Sequence, residues 1–177
     1  MKYIFDFDDV LFYNTKLFKE HMYECLEEAG VSRNMAEIYY KEVREKEFSL
    51  KNFIAELFKR GKMDENKMEE IYKKIMSECK NFTNLELLEK VKGYGKENCF
   101  IVTNGEKQFQ KDKLENSGIT PLFQEIFIVP NSKKEVIYEI CSKYKDEKIS
   151  FFEDKIKFIA DIDMSKCPNL ETVFYKI

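Results

Sequence analysis

Strand-like and helical segments alternate through the second half of the chain, and this alternation restricts the fold more than any other feature. Runs of β-branched and aromatic residues predict strands at residues 2–6, 99–103, 125–129, 149–153 and 172–175. Apolar residues at helical spacing predict helices at residues 85–92, 106–116, 133–144 and 155–163. Strands that alternate with helices at this interval form parallel sheets with right-handed crossovers. The expected fold class is α/β, with a Rossmann-like parallel sheet covered by helices on both faces.

A long helical segment separates the first predicted strand from the second. Its charged and apolar residues predict four helices, at residues 15–29, 33–46, 50–60 and 65–79. We therefore expect a core domain of residues 1–14 and 82–177 and an inserted helical cap domain of residues 15–81. Parallel α/β sheets bind ligands at the carboxyl ends of their strands, and a cap over that edge can exclude water and select a substrate.

Charge and aromatic content limit the class of partner. The chain of 177 residues contains 16 Phe and 10 Tyr, which is enough apolar material for a buried core. Its 30 Lys and Arg residues against 33 Asp and Glu residues give a net charge of −3. This balance provides no general attraction to nucleic acid or to an anionic membrane. We expect a small-molecule partner and a protein that is a monomer or a weak homodimer.

The cysteines and the first residues predict a cytoplasmic protein. The five cysteines are scattered, odd in number and without a C-x-x-C pair, so they are expected to be buried thiols. Aspartates interrupt the apolar run of MKYIFDFDD, which argues against a secretory signal or a membrane anchor. The single histidine, His21, excludes a histidine-based metal site or catalytic triad by count.

The strongest candidate for chemistry is the segment FDFDDVL at residues 5–11. Asp6 and Asp8 flank one residue at the end of a predicted buried strand, where they would lie on one face and could share a divalent cation. The alternative is that these acids only end the strand and form a turn, together with Asp9.

The segment FDFDDVL resembles the first motif of the haloacid dehalogenase superfamily, in which Asp-x-Asp-x-(Thr or Val)-(Leu or Val) follows a buried strand. Thr103, Asn104 and Gly105, at the end of the second core strand, resemble the second motif, where a hydroxyl group holds the transferring phosphoryl group. A plain strand-ending turn is the alternative interpretation, because Asn-Gly is a common turn dipeptide.

Two further segments resemble the remaining motifs of this superfamily in the expected order. The third motif is a Lys at the start of a helix, and the approximate register favours Lys133 over Lys134. The fourth is an acidic pair after the next strand, here Glu153 and Asp154, with Asp154 expected to bind the metal directly and Glu153 through water. Lys155 departs from the pattern, because a small residue often occupies that position.

The resemblance implies a Mg²⁺-dependent phosphatase. Asp6 would be the nucleophile that forms an aspartyl-phosphate, and Asp8, held protonated, would act as general acid and then as general base. Thr103 and Lys133 would complete the catalytic residues, with Asn104 and Gly105 also contacting the substrate. The implied Mg²⁺ ligands are Asp6, Asp8, Glu153 and Asp154, and the implied substrate is a small phosphorylated metabolite.

Two other functions remain open from the sequence. A phosphomutase of the same superfamily would use the same intermediate but return the phosphoryl group to the substrate. A catalytically silent binding protein would be expected to have lost key motif residues, and all of them are present. In the cap, Arg44, Lys46 and Lys51 could bind a second anionic group of the substrate or simply form a solvated face.

Overall fold

The central element of the fold is a sheet of five parallel strands. The computed structural model describes residues 1–44 and 47–175. The strands are β1 (Lys2–Phe5), β2 (Cys99–Asn104), β3 (Glu125–Val129), β4 (Ile149–Glu153) and β5 (Leu170–Phe174). Their order in the sheet is β3-β2-β1-β4-β5 and every pairing is parallel. The predicted α/β class is confirmed, and β5 begins two residues earlier than predicted.

Eight α-helices accompany the strands in the part of the chain that the structure describes. They are α1 (Thr15–Glu28), α2 (Arg33–Val43), α3 (Leu50–Gly61), α4 (Met68–Ser77), α5 (Leu85–Tyr94), α6 (Lys107–Ser117), α7 (Lys134–Lys143) and α8 (Ile156–Ala160). The last helix ends before the predicted residue 163. There the Asp163 side chain accepts hydrogen bonds from the Ser165 backbone N–H and hydroxyl group, which favours a new 3₁₀ turn over continued helix.

The three central strands, β1, β2 and β4, are largely buried on both faces, as their nearly continuous apolar sequences predict, whereas the edge strands β3 and β5 are partly exposed. On one face, Phe5 and Ile101 join an apolar cluster that includes residues of α5, α6 and the segment between β1 and β2. On the other face, Ile4 and Phe151 pack with Ile137 of α7. The sheet is therefore covered by helices on both sides, and its edges at the strand ends are the places where polar side chains can gather.

Helices α1 to α4 belong to one excursion of the chain between β1 and β2, which we call the helical insert (residues 15–81). The chain leaves and returns at neighbouring positions, because Phe12 forms an antiparallel bridge with Thr83. Asn84 joins both sides. Its backbone N–H donates to the Leu11 carbonyl at 2.8 Å, and its side-chain oxygen accepts from the first turn of α5.

The helical insert packs against α6 of the core. The rings of Phe48 and Phe109 lie 5.6 Å apart, and the Tyr72 hydroxyl group donates a hydrogen bond to Asp112. Helix α6 is therefore the surface through which the insert reaches the sheet.

Two further observations concern the cysteines and membrane spanning. All five cysteines are buried free thiols, as predicted. Within residues 1–44 and 47–175, no helix is both long enough and apolar enough to cross a membrane.

Candidate active site

The predicted motif residues converge at the carboxyl ends of three neighbouring strands. Asp6 directly follows β1, Thr103 is the second-to-last residue of β2, and Glu153 is the last residue of β4. Because β2, β1 and β4 are adjacent and parallel, their carboxyl ends meet at one edge of the sheet. Segments that are distant in sequence thus form one polar site, as the order of the motifs predicts.

Lys133 is the lysine that reaches this site. Its side chain is 1% exposed, and its Nζ atom lies 2.8 Å from Asp6 Oδ1 and 2.6 Å from Glu153 Oε2. Lys134 is instead partly exposed and pairs with Asp161 at 3.4 Å. The geometry agrees with the choice of Lys133 over Lys134 that the sequence favours.

The Asp6 carboxylate is fixed by contacts to one of its two oxygens. Asp6 Oδ1 accepts a hydrogen bond from the Phe7 backbone N–H at 2.7 Å and also contacts Lys133. Asp6 is only 2% exposed. These contacts orient the carboxylate and leave Oδ2 outside both of them.

Three acids form a group that fits a divalent cation. Asp6, Glu153 and Asp154 each offer a carboxylate oxygen, and these oxygens lie within 4.8 Å of one another. Asp154 Oδ1 is buried and has no hydrogen-bond partner among the described residues. An unpaired buried oxygen is costly, and Mg²⁺ takes carboxylate oxygens as ligands. The side chains present therefore suit the Mg²⁺ that the sequence predicts.

Burial and the crowding of negative charge shift the pKa values of residues in and beside this group. Burial and the nearby Asp6 carboxylate raise the pKa of Glu153 to about 7, although Lys133 and the Lys155 backbone N–H oppose the rise. Burial also raises the pKa of Asp154. Burial by itself would lower the pKa of Lys155, but the surrounding carboxylates, above all Asp154, raise it. Lys155 therefore interacts electrostatically with the acids of the site.

The raised pKa of Glu153 gives a prediction for stability in chelator-containing buffer. The folded state binds the Glu153 proton more tightly than the unfolded state does, so the free energy of unfolding should fall as the pH rises from about 4.5 to about 7, by up to about 3 kcal/mol. Urea unfolding at several pH values in this window measures the slope. Glu153→Gln removes the titrating group, so the free energy of unfolding of this variant should depend less on pH. Equal slopes for the variant and the wild type would contradict the prediction.

Asp8 is not brought into the group of three acids. Its Oδ1 forms a salt bridge with Lys113, and its Oδ2 accepts a hydrogen bond of 2.7 Å from Gln110 Nε2. Burial acts to raise the pKa of Asp8, but Lys113 and Gln110 outweigh it and the pKa is lowered. The resemblance implies that Asp8 is protonated and that it binds the metal. In the structure, its carboxylate is instead ionised and paired with residues of α6.

Gln110 and Lys113 are site residues that the sequence motifs do not include. Both are almost fully buried, at 4% and 3% exposure. Gln110 Nε2 also donates to the Asn104 carbonyl oxygen at 3.2 Å, so α6 is connected to the end of β2 as well as to Asp8.

The predicted substrate-binding residues occupy the end of β2 and the turn after it. Thr103 is 1% exposed, and Asn104 lines an open cleft of about 640 Å³ together with Asn131 and Lys157. Gly105 has φ +144°, and a Cβ atom there would lie 2.8 Å from Gln110 Nε2. Gly105 is therefore required for the close approach of Gln110, a structural reason beyond the turn that its sequence suggests.

Two of the remaining polar candidates, Asp9 and Lys51, contact residues of the helical insert. Asp9 accepts hydrogen bonds from the backbone N–H and hydroxyl group of Thr15, so it stabilises the entry to α1. Arg44 is exposed at the end of α2, and Lys46 lies outside the described residues. The Lys51 ammonium group lies 4.7 Å from the centre of the Tyr72 ring, within the helical insert.

Comparisons with known proteins agree with this architecture. Residues 3–174 match the sequence profile of the haloacid dehalogenase-like hydrolases. A solved structure described as a haloacid dehalogenase-like hydrolase from Burkholderia xenovorans superposes with a TM-score of 0.69 at 17% identity, covering 97% of this chain and 80% of that one. No match is found among curated proteins.

Two other solved structures share the fold at similar identity. A protein described as a β-phosphoglucomutase from Thermotoga maritima has a TM-score of 0.57 at 18% identity, covering 100% of this chain and 87% of that one. A magnesium-bound HAD-hydrolase from Bacillus subtilis has a TM-score of 0.54 at 16% identity, covering 98% and 85%. At these identities the superpositions show a common fold.

Proposed function

Because the chain belongs to the haloacid dehalogenase-like hydrolases, we propose that it is a Mg²⁺-dependent phosphohydrolase that acts on a small phosphate monoester. The observation that carries the proposal is the arrangement of Asp6. One of its oxygens is fixed by the Phe7 N–H and Lys133, and the carboxylate lies beside two further acids. A buried carboxylate with one oxygen fixed is suited to act as a nucleophile.

The proposed cation site uses the three acids in different ways. Asp6 and Asp154 would bind Mg²⁺ directly, since Asp154 Oδ1 has no other partner among the described residues. Glu153 would act through water, because its oxygens already accept from Lys133 and from the Lys155 backbone N–H. When bound, the cation would offset the negative charge that otherwise repels a phosphate dianion from Asp6.

The proposed reaction has two steps at Asp6. In the first, Asp6 Oδ2 attacks phosphorus, the bond from phosphorus to the leaving oxygen breaks, and an aspartyl-phosphate forms. In the second, water attacks that phosphorus, inorganic phosphate leaves and the Asp6 carboxylate is restored. Lys133 would balance charge on Asp6 and the phosphoryl group, and the Thr103 hydroxyl group would donate to a phosphoryl oxygen.

Asp8 is proposed to move the protons in both steps. It would donate a proton to the leaving oxygen in the first step and accept one from the attacking water in the second. In the structure Asp8 is held as the carboxylate that the second step requires. Its role in the first step therefore requires that Asp8 first take up a proton, and the second step returns a proton to it.

The proposed substrate is a small phosphorylated metabolite such as a sugar phosphate or a nucleotide. An open cleft of about 640 Å³ is in the size range of small-molecule sites; Asn104 is the predicted site residue that lines it, and the three acids are not part of its lining. The proposal includes no role in binding nucleic acid or membrane, because the net charge of −3 provides no general attraction to either.

A panel of phosphorylated metabolites, assayed with Mg²⁺ and with excess EDTA, tests this function. We expect release of inorganic phosphate from some members only when Mg²⁺ is present, because three clustered carboxylates would otherwise repel the substrate. Full activity in EDTA would contradict the metal requirement. An isomeric sugar phosphate without phosphate release would identify a phosphomutase, and binding without turnover would identify a silent binding protein.

A further inference from the structure

Helix α6 places two polar side chains against Asp8, and together they occupy both of its carboxylate oxygens. Lys113 forms a salt bridge with Oδ1, and Gln110 Nε2 donates to Oδ2 at 2.7 Å. Asp6, two residues earlier, has neither partner and instead contacts Lys133. Two acids of one motif are thus held by different parts of the chain, Asp8 by α6 and Asp6 by Lys133, which directly precedes α7.

The surroundings of Lys113 favour a fixed position for its ammonium group. The side chain is 4% exposed, and Nζ lies 5.2, 5.1 and 4.9 Å from the ring centres of Phe7, Phe12 and Phe109. A buried ammonium group needs a carboxylate partner, and aromatic faces stabilise the cation further. Asp8 is the partner that the described residues provide, so each group holds the other in place.

Gln110 is fixed just as closely. Its Nε2 atom bonds to both Asp8 Oδ2 and the Asn104 carbonyl oxygen. The absence of a side chain at Gly105 makes this approach possible, since a Cβ atom there would lie 2.8 Å from Nε2. A side chain bonded at two points and closely packed cannot follow Asp8 to another position without breaking both bonds.

A divalent cation beside Asp6 would attract any free carboxylate within reach, and Asp8 is only two residues away. We propose that Lys113 and Gln110 are positioning residues that keep the Asp8 carboxylate out of the cation's ligand group and hold it on the α6 side of the site. The separation leaves Asp8 available for proton transfer, a role that rests on the proposed function. The separation of Asp8 from the cation can be tested by measuring cation binding alone.

The decisive experiment measures Mg²⁺ affinity by calorimetry on four proteins: wild type, Lys113→Met, Asp8→Asn and the double variant. Methionine keeps a long unbranched side chain and removes the charge. Lys113→Met should bind Mg²⁺ more tightly, on the order of tenfold, because the released Asp8 joins the ligand group and ligand charge sets cation affinity. In the Asp8→Asn background the same substitution should have much less effect, because no carboxylate remains to be recruited.

Two matched variants separate this effect from simple loss of charge and from misfolding. Lys111→Met removes a lysine from the exposed face of the same helix, where it pairs with Glu115 at 3.7 Å, and should leave the affinity unchanged. Gln110→Leu removes no charge, only the hydrogen bonds of Nε2 to Asp8 and to the Asn104 carbonyl oxygen, and should give a smaller increase in affinity that also depends on Asp8. It keeps the proposal testable if Lys113→Met does not fold, as thermal unfolding of each variant will show.

The outcomes are distinct. Equal tightening by Lys113→Met with and without the Asp8 carboxylate would show a through-space charge effect and overturn the proposal, as would no tightening in either Lys113→Met or Gln110→Leu. Wild-type protein that binds no Mg²⁺ would overturn both this inference and the proposed metal requirement. Wild-type protein that binds Mg²⁺ but hydrolyses no phosphate ester would overturn the proposed function alone, because the calorimetric comparison needs no turnover.

Discussion

Replacing Asp6 with asparagine is expected to reduce phosphate release on the order of 10⁴-fold or more, because an amide cannot form the aspartyl-phosphate. The substitution preserves the shape of the side chain, and its oxygen can still accept from the Phe7 N–H and from Lys133. The loss should therefore appear in turnover and not in folding. Initial rates of phosphate release, with circular dichroism and thermal unfolding of both proteins, measure the two effects.

Asp9 provides a matched control for this substitution. It lies three residues from Asp6, but its carboxylate bonds to Thr15 at the entry to α1 and not to the three acids. Asp9→Asn should keep turnover close to that of the wild type, since an amide can still bond to the Thr15 backbone N–H. Near-normal turnover by Asp6→Asn would assign the nucleophile to another residue.

Asp8→Asn is expected to lower turnover of an alkyl phosphate by roughly 10² to 10⁴-fold, the usual loss when proton transfer is removed. The effect on the first step should depend on the leaving group. An alkoxide needs a proton as it departs, whereas p-nitrophenolate is stable as an anion. Rapid mixing with p-nitrophenyl phosphate should therefore show a first step that is much less damaged than that with the alkyl ester.

The second step provides the internal comparison for Asp8. Hydrolysis of the aspartyl-phosphate needs a base whichever ester formed it, so steady-state turnover in Asp8→Asn should be slow for both substrates. The expected pattern is a burst of nitrophenol followed by slow release of phosphate. Equal damage to the first step with both leaving groups would indicate that Asp8 acts on structure or on the cation and not on the proton.

The fold and the acidic group could be predicted because the responsible signals are local. Strand segments carry their own apolar and β-branched pattern, and a parallel sheet then brings their carboxyl ends together. Asp6, Glu153 and Asp154 each stand at such an end, so their proximity follows from the topology. The approximate register of the third motif favours Lys133 over Lys134, and the structure places Lys133 directly before α7.

The partners of Asp8 could not be predicted from the same signals. Gln110 and Lys113 lie in the segment KQFQKDKLENS, whose sequence is typical of an ordinary charged helix. One clue was present, because this helix has only Phe109 and Leu114 as apolar residues and yet must cover a sheet. Some of its polar side chains must then be buried and paired, but which acid they would pair with depends on tertiary contacts.

The bridge between Phe12 and Thr83 has a consequence for how such a chain can vary. In the topology of the chain, the helical insert is one long loop between two strands of the sheet, and its two ends lie side by side. The entropy of closing a loop grows only logarithmically with its length, so doubling it costs about 0.6 kcal/mol. Insertions within this loop therefore disturb the register of the strands very little, and the helical insert can change length while the carboxylates that follow the strands keep their places.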